Sequence, residues 1–216
     1  MTKTEPRLIV VEGPIGVGKT TLAQRLATDF KANLMLERAD QNPFLERFYS
    51  YPRQFALHTQ LHFLLTRVAA IREIQTAQPA PTGWVTDFLL AKDRLFAENA
   101  LDEQEFELYE QVWRNIDHAT PTPDLVVYLQ APVEVLLKRV ARRGRNFERG
   151  ISPAYLERLN DAYASFFHYY HEAPLLIVNA TEIDFANNDR DYRQLLNQIV
   201  SIKRGRNYFN PLPADD

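Results

Sequence analysis

Gly13-Pro14-Ile15-Gly16-Val17-Gly18-Lys19-Thr20 follows the apolar run Leu8-Ile9-Val10-Val11 and precedes a helix-forming stretch. It matches GxxxxGK[ST], the phosphate-binding loop pattern set between a strand and a helix. Gly13, Gly16 and Gly18 let the backbone bend so that successive N–H groups point inward, where the oxygens of a triphosphate accept from them at a helix N-terminus. The spacing assigns Lys19 to the β- and γ-phosphates and the Thr20 hydroxyl to Mg²⁺. Pro14, Ile15, Val17 and Thr21 complete the expected nucleotide contacts. A glycine-rich turn without a ligand is the competing reading, and the flanking strand and helix argue against it.

With 216 residues and 45% apolar content, the chain can bury one α/β core and is short for two domains, so one domain over 1–216 is expected. A formal net charge of −3 gives no global attraction to nucleic acid or to an anionic membrane; phosphate recognition must be local, and a small anionic substrate fits better than DNA. Cysteine is absent, which excludes disulfides, thiolate metal sites and thiol nucleophiles and suits a reducing compartment. Met1 to Pro6 is polar and charged, and Leu8 to Val11 is too short for a signal segment or a span. A soluble, cytoplasmic protein is expected.

Around the loop, β-rich runs at Arg7 to Glu12, Asn33 to Glu37, Trp84 to Asp87, Asp124 to Leu129 and Leu175 to Asn179 alternate with helical periodicity. The runs are continuously apolar, so both faces of a parallel sheet are expected to be covered by helices. Helices are expected from Thr20 to Phe30, with Leu22, Ala23, Leu26 and Phe30 inward, and from Arg53 to Gln75, ended by Gln78 to Gly83. Asp102 and Glu105 form a capping box for a helix to about Asp117. Further helices run from Pro132 to Gly144, from Ser152-Pro153 to about His171, and from Arg190 to Lys203. The tail from Gly205 to Asp216 reads as loose or docked on the surface.

Glu37 and Asp87 each end an expected strand, where the ligand crevice of an open α/β sheet lies. One can help hold Mg²⁺ and the other can accept a proton from an attacking hydroxyl. The basic run Lys138 to Gly150, between two helices, reads as a lid whose arginines neutralise a transferred phosphoryl group; an RNA-binding patch and a solvated helix end are the alternatives. Gln60 and Arg67 share a helix face about 10 Å apart, a span suited to a nucleobase edge. His58 and His62 have zinc-pair spacing but no third ligand, and are taken as structural. Tyr163, Phe166, Phe167 and Tyr170 read as core or as a dimer surface.

From about residue 7 to 172 the chain resembles the deoxyribonucleoside kinase family, which includes deoxycytidine, deoxyguanosine and bacterial deoxyadenosine kinases. The resemblance rests on the loop, on Leu36-Glu37-Arg38-Ala39-Asp40-Gln41-Asn42-Pro43-Phe44, on Phe48-Tyr49, Gln60 and Arg67, on Asp87 to Ala97, and on Arg143-Gly144-Arg145-Asn146-Phe147-Glu148. It implies a P-loop NTPase fold of the nucleoside-monophosphate-kinase type, with a five-stranded parallel sheet, an arginine lid at about 143–151 and a helix-packed homodimer, which aromatics such as Phe63 and Trp113 permit. It implies ATP- and Mg²⁺-dependent phosphorylation of the 5′-hydroxyl of a deoxynucleoside, in nucleotide salvage. Glu37 is then the general base, Asp87 the acid of the family's Glu/Asp-Arg-Ser box, and Tyr49 and Glu148 the partners of the 3′-hydroxyl. Gln60 pairs with the base, Arg67 and Asp93 line its pocket, and Arg139, Arg143 and Arg145 cover the phosphates. Arg67 with Asp93 resembles members that take deoxyadenosine, deoxyguanosine or deoxycytidine, with thymidine not excluded. A monophosphate or other small-metabolite kinase of the same fold, and a nucleotide-operated switch, remain the rival readings.

The chain departs from the family at the box, which reads Thr86-Asp87-Phe88-Leu89, with Phe88 in place of arginine and Leu89 in place of serine. That arginine, by the resemblance, orients the 5′-hydroxyl and its basic partner. Either Lys92 or Arg94 compensates, or the geometry differs.

Overall fold

The computed structural model describes residues 7–77, 82–116 and 120–211. Its sheet has strands β1 (Arg7–Glu12), β2 (Asn33–Met35), β3 (Gly83–Thr86), β4 (Leu125–Gln130), β5 (Leu175–Asn179) and β6 (Arg206–Phe209). All pair in parallel, in the order β2-β3-β1-β4-β5-β6. The helices are α1 (Lys19–Phe30), α2 (Leu45–Ser50), α3 (Pro52–Thr76), α4 (Lys92–Ala100), α5 (Glu103–Asn115), α6 (Val133–Arg143), α7 (Pro153–Tyr169) and α8 (Asp189–Ser201).

Period-two alternation sorts the central strands into two cores. Ile9, Val11, Val127 and Leu129 face α1, α6 and α8 through Leu22, Leu26, Leu136 and Leu195. Leu8, Val10, Val126 and Tyr128 face α7 through Leu159, Tyr163 and Phe167. Both faces are covered, which is why these strands read as unbroken apolar runs. The aromatic series of α7 is core: Tyr128 stacks on Phe167 with ring centroids 4.1 Å apart. His58 and His62 pack beside Phe44, at 5.3 and 6.5 Å between centroids. Among the described residues no helix is long and apolar enough to cross a membrane.

Local signals place the helices close to where the periodicity puts them. Asp102 accepts from the Glu105 N–H, and the Glu105 carboxylate accepts in return from the Asp102 N–H, so the capping box of α5 is formed. Pro52 and Pro153 occupy the first turns of α3 and α7, where a missing N–H costs nothing. Gly144 closes α6 in the left-handed conformation, φ 66°. Of the expected breaker from Gln78 to Gly83, residues 78–81 lie outside the described residues and Gly83 opens β3; the expected helix end at Asp117 and the tail beyond 211 also lie outside them.

The sheet has six strands, not the expected five. The sixth, β6, lies in the segment read as a loose tail. It is a short edge strand of alternating exposure, with only Asn207 and Phe209 half-buried, too weak a pattern to stand out from a surface segment. Its pairing along β5 and the Arg206 guanidinium, which donates to the carbonyls of Phe167, His168 and Tyr170 at 3.1, 2.7 and 3.2 Å, hold it in place. Helices α2 and α4 were also not expected.

Candidate active site

The loop between β1 and α1 is shaped by its glycines. At Gly13, φ is 147° and the Leu129 carbonyl oxygen lies 2.4 Å from where a Cβ would stand; at Gly16, φ is 88° and the Leu136 carbonyl lies at 2.8 Å. No side chain is tolerated at either, so the loop rests directly on β4 and α6. Lys19, in the first turn of α1, curls back to donate to the carbonyls of Gly13 at 2.7 Å and Pro14 at 3.1 Å. Burial, with Lys92 nearby, lowers its ammonium to about 8.

The carboxyl ends of β2 and β3 bring acids to this loop. Asp87, one residue past β3, accepts from the Thr20 hydroxyl at 2.6 Å and from the Glu37 N–H at 2.7 Å. Burial raises its carboxyl above the usual range against those hydrogen bonds. Glu37, two residues past β2, accepts from Arg67 Nε at 2.6 Å. Burial pushes its carboxyl up, but Arg67, Lys92 and Lys19 outweigh that and hold it at about 2. It is a carboxylate at every physiological pH.

Arg67 is 3% exposed and bridges two acids, Glu37 and Asp93, while Asp93 also accepts from the Tyr109 hydroxyl at 2.6 Å. One α3 side chain thus ties β2's end to α4 and α5. Gln60, two turns earlier on α3, is 1% exposed and its Oε1 has no protein partner. A buried amide oxygen without a donor is unusual.

The basic segment folds over the same space. Arg143, the last residue of α6, grips Glu148 through Nε at 3.0 Å and Nη2 at 2.5 Å, and Arg145 Nη1 stands 3.9 Å from the same carboxylate. Gly150 packs on Tyr49, with 3.0 Å between Tyr49 Cβ and the place of a Gly150 Cβ. The result is an open cleft lined by Gly16, Lys19, Thr20, Glu37, Tyr49, Gln60, Arg67, Asp87, Arg143, Arg145 and Glu148 among others.

Arg139 is not brought into this cleft. It lies one helical turn before Arg143, and its guanidinium donates to the carbonyls of Val17, Ala180 and Thr181 at 3.3, 2.7 and 3.4 Å. It lines a second, open cavity with Gly18, Thr21, Arg142 and residues 181–186. Asp93 sits behind Arg67 rather than in the cleft wall. Phe63 is 9% exposed and lines the cleft, so it is no part of an outer surface. Sequence reasoning passed over Glu12, Tyr109 and Tyr155, and read Tyr163 only as core or dimer surface. Glu12 is fully buried and accepts from the N–H groups of Gly13 and Leu89 and from the Tyr163 hydroxyl. A carboxylate closing an apolar strand was the available signal; the tyrosines offered none.

With the geometry in place, comparison with known proteins decides the family. The model of the deoxynucleoside kinase family matches residues 9–203. The chain belongs to the deoxynucleoside kinase family. Among its relatives, the deoxyguanosine kinase of Bacillus subtilis (strain 168) is 30% identical over 203 residues, covering 90% of this chain and 96% of that one. The deoxyadenosine/deoxycytidine kinase of the same organism is 29% identical over 203 residues, covering 90% and 92%. A solved structure of deoxyadenosine kinase from M. mycoides with bound dATP shares the fold at a TM-score of 0.77 and 22% identity, covering 90% of this chain and all of that one. This deoxynucleoside kinase is therefore a phosphotransferase with a deoxynucleoside acceptor.

Proposed function

We propose that this kinase moves the γ-phosphoryl group of ATP, with Mg²⁺, to the 5′-hydroxyl of deoxyadenosine, deoxyguanosine or deoxycytidine. The observation that carries the reading is the meeting of two cavities at the glycine-rich loop: both are lined by Gly16 and Arg143. The donor nucleotide occupies the cavity of Thr21, Arg139 and Arg142, with its phosphates over the loop, and the nucleoside occupies the cleft of Gln60 and Glu37. A phosphoryl group passing between them crosses the loop N–H groups, Lys19 and Arg143.

The residues fit a magnesium ion. The Thr20 hydroxyl and the Asp87 carboxylate, 2.6 Å apart, are hard oxygen donors of the kind such an ion takes alongside phosphate and water. When bound there, the ion neutralises charge on the phosphates. The chain's own work is positioning. Glu37 holds the 5′-hydroxyl and takes its proton late, because phosphoryl transfer passes through a loose transition state that needs little help from a base. Gln60 offers its amide to the base edge, with Arg67 and Asp93 behind it, while Tyr49 and Glu148 hold the 3′-hydroxyl and Arg143 and Arg145 close over the transferred group. Burial, Tyr155 and Glu148 keep Tyr49 a phenol, able to donate. Leu65 on α3 and Leu108 on α5, 55% and 46% exposed, are apolar positions that a helix-packed homodimer would cover. A reducing, cytoplasmic setting agrees with the cysteine-free chain.

Turnover with Mg-ATP on the four deoxynucleosides and on their monophosphates tests the proposal. Phosphorylation of purine deoxynucleosides or deoxycytidine is expected; turnover confined to monophosphates or to thymidine refutes it.

A further inference from the structure

Phe88 and Leu89, which stand where the resemblance expects arginine and serine, do not reach the cleft. Both line a separate apolar cavity with Leu8, Val10 and Ile71. Arg94 points away as well: it is half exposed and meets Glu98 at 3.2 Å and Glu110 at 3.1 Å. Lys92, the first residue of α4, does the opposite. It is 1% exposed, lines the cleft, and places Nζ 3.0 Å from Glu12 Oε1 and 3.7 Å from Glu37 Oε1.

We propose that Lys92 is a positioning residue of the phosphoryl-transfer site, an ammonium strut that fixes the Glu37 carboxylate from inside the fold in place of an arginine after Asp87. The proposal rests on the reading of Glu37 as acceptor of the 5′-hydroxyl proton.

The strut is rigid at both ends. Glu12 cannot follow Lys92, because its oxygens already accept from Gly13 N–H at 3.0 Å, Leu89 N–H at 2.6 Å and the Tyr163 hydroxyl at 3.0 Å. The Lys92 backbone is tied to the same group of residues, its N–H donating to the Leu89 carbonyl at 3.1 Å. Glu12 therefore anchors the side chain directly and the turn that carries it through Leu89. An ammonium has three donors and Glu12 uses one direction, which leaves the others for the cleft. A lysine that merely neutralised Glu12 would need no face on the cleft. Burying an ammonium is costly, and the two carboxylates it meets are what make the position tenable. Lys92 is also among the charges that keep Glu37 ionised, together with Arg67 and Lys19.

Removing the lysine alone strands the Glu12 charge, so the test uses both Lys92→Met and the double variant Glu12→Gln/Lys92→Met, which removes the pair together. Steady-state kinetics with a deoxynucleoside and Mg-ATP, and calorimetric binding of Mg-ATP, are measured on each. A positioning role predicts that kcat falls at least about 30-fold in both while KM for the nucleoside and affinity for Mg-ATP stay within about threefold. In a Glu37→Gln background Lys92→Met should cost less than about threefold more, since both changes act through one carboxylate. Parental kcat in the double variant, loss of Mg-ATP binding in it, or full additivity with Glu37→Gln would each overturn the assignment and leave Lys92 as structural support. Failure of the underlying reading is separately visible: Glu37→Gln alone would then turn over at the parental rate.

Discussion

Glu37→Gln tests the reacting end of the cleft most directly, because the amide keeps the volume and one acceptor oxygen while removing the charge and replacing the second oxygen with a donor. The carboxylate is 18% exposed and is the point at which Arg67 and Lys92 converge. Holding a carboxyl at about 2 rather than 4.5 amounts to about 3 kcal/mol in favour of the ionised form, at about 1.4 kcal/mol per pH unit. The folded-state value is depressed, so this contribution to stability is complete above pH 4.5 and is lost as pH falls through about 2. The variant should therefore be less stable than the parent near neutrality by up to about 3 kcal/mol, and the gap should narrow steadily as pH drops below 4.5. It should still fold, because Arg67 retains Asp93 and Lys92 retains Glu12. Catalysis should suffer more. A carboxylate this acidic is a weak base, so its worth lies in holding the hydroxyl in line, and turnover should fall by about two to three orders of magnitude with Mg-ATP affinity little changed. Urea unfolding at neutral and acid pH and a coupled assay at saturating substrates read the two effects. Near-parental turnover, or a stability gap that does not narrow in acid, refutes the reasoning.

Other perturbations follow from the same geometry. Lys19 sits at about 8, and phosphate binds its protonated form, so affinity for Mg-ATP should approach a tenfold fall per pH unit above about 8 and binding near that pH should take up a proton. Calorimetry in buffers of different ionisation enthalpy measures both, and a flat affinity across this range contradicts the placement of Lys19. Gln60→Leu should lower kcat/KM for the nucleoside about 10- to 100-fold while raising stability by about 1 kcal/mol, since it deletes a buried oxygen with no protein partner. A variant both less stable and fully active would deny Gln60 its role. Arg206→Ala should cost about 1–2 kcal/mol by freeing the carbonyls at the end of α7, with turnover unchanged; denaturant unfolding monitors it.

How far the sequence revealed the site depended on whether the chemistry was local. The glycine-rich loop, the acids at strand ends and the capping box are contiguous patterns, and each is read from a few neighbouring residues. The start of α4 is different. Lys92, Asp93 and Arg94 with Glu98 look like one solvated charged turn, yet Lys92 and Asp93 are buried and only Arg94 and Glu98 are turned outward. What buries them is pairing with Glu12 on β1 and Arg67 on α3, partners far along the chain that periodicity cannot register. The basic run 138–150 differs in the opposite sense, since one contiguous pattern serves two places. A single helical turn, about 5.4 Å of rise, separates Arg139 beside the loop from Arg143 over the cleft.

The charges of the cleft, taken together, give the proposed chemistry its strongest physical footing. Glu12 is matched by Lys92, Glu37 and Asp93 by Arg67, and Glu148 by Arg143. Within this cluster of described residues, Lys19 and Asp87 rest on neutral groups instead: the first on two loop carbonyls, the second on the Thr20 hydroxyl and a backbone N–H. Burial accordingly pushes each toward its uncharged form, Lys19 downward and Asp87 upward. An anion over the loop would reverse the first displacement, and a cation between Thr20 and Asp87 would reverse the second. A magnesium-bound triphosphate supplies both charges at once, so its binding should be cooperative between metal and nucleotide, each restoring the ionisation the other needs nearby.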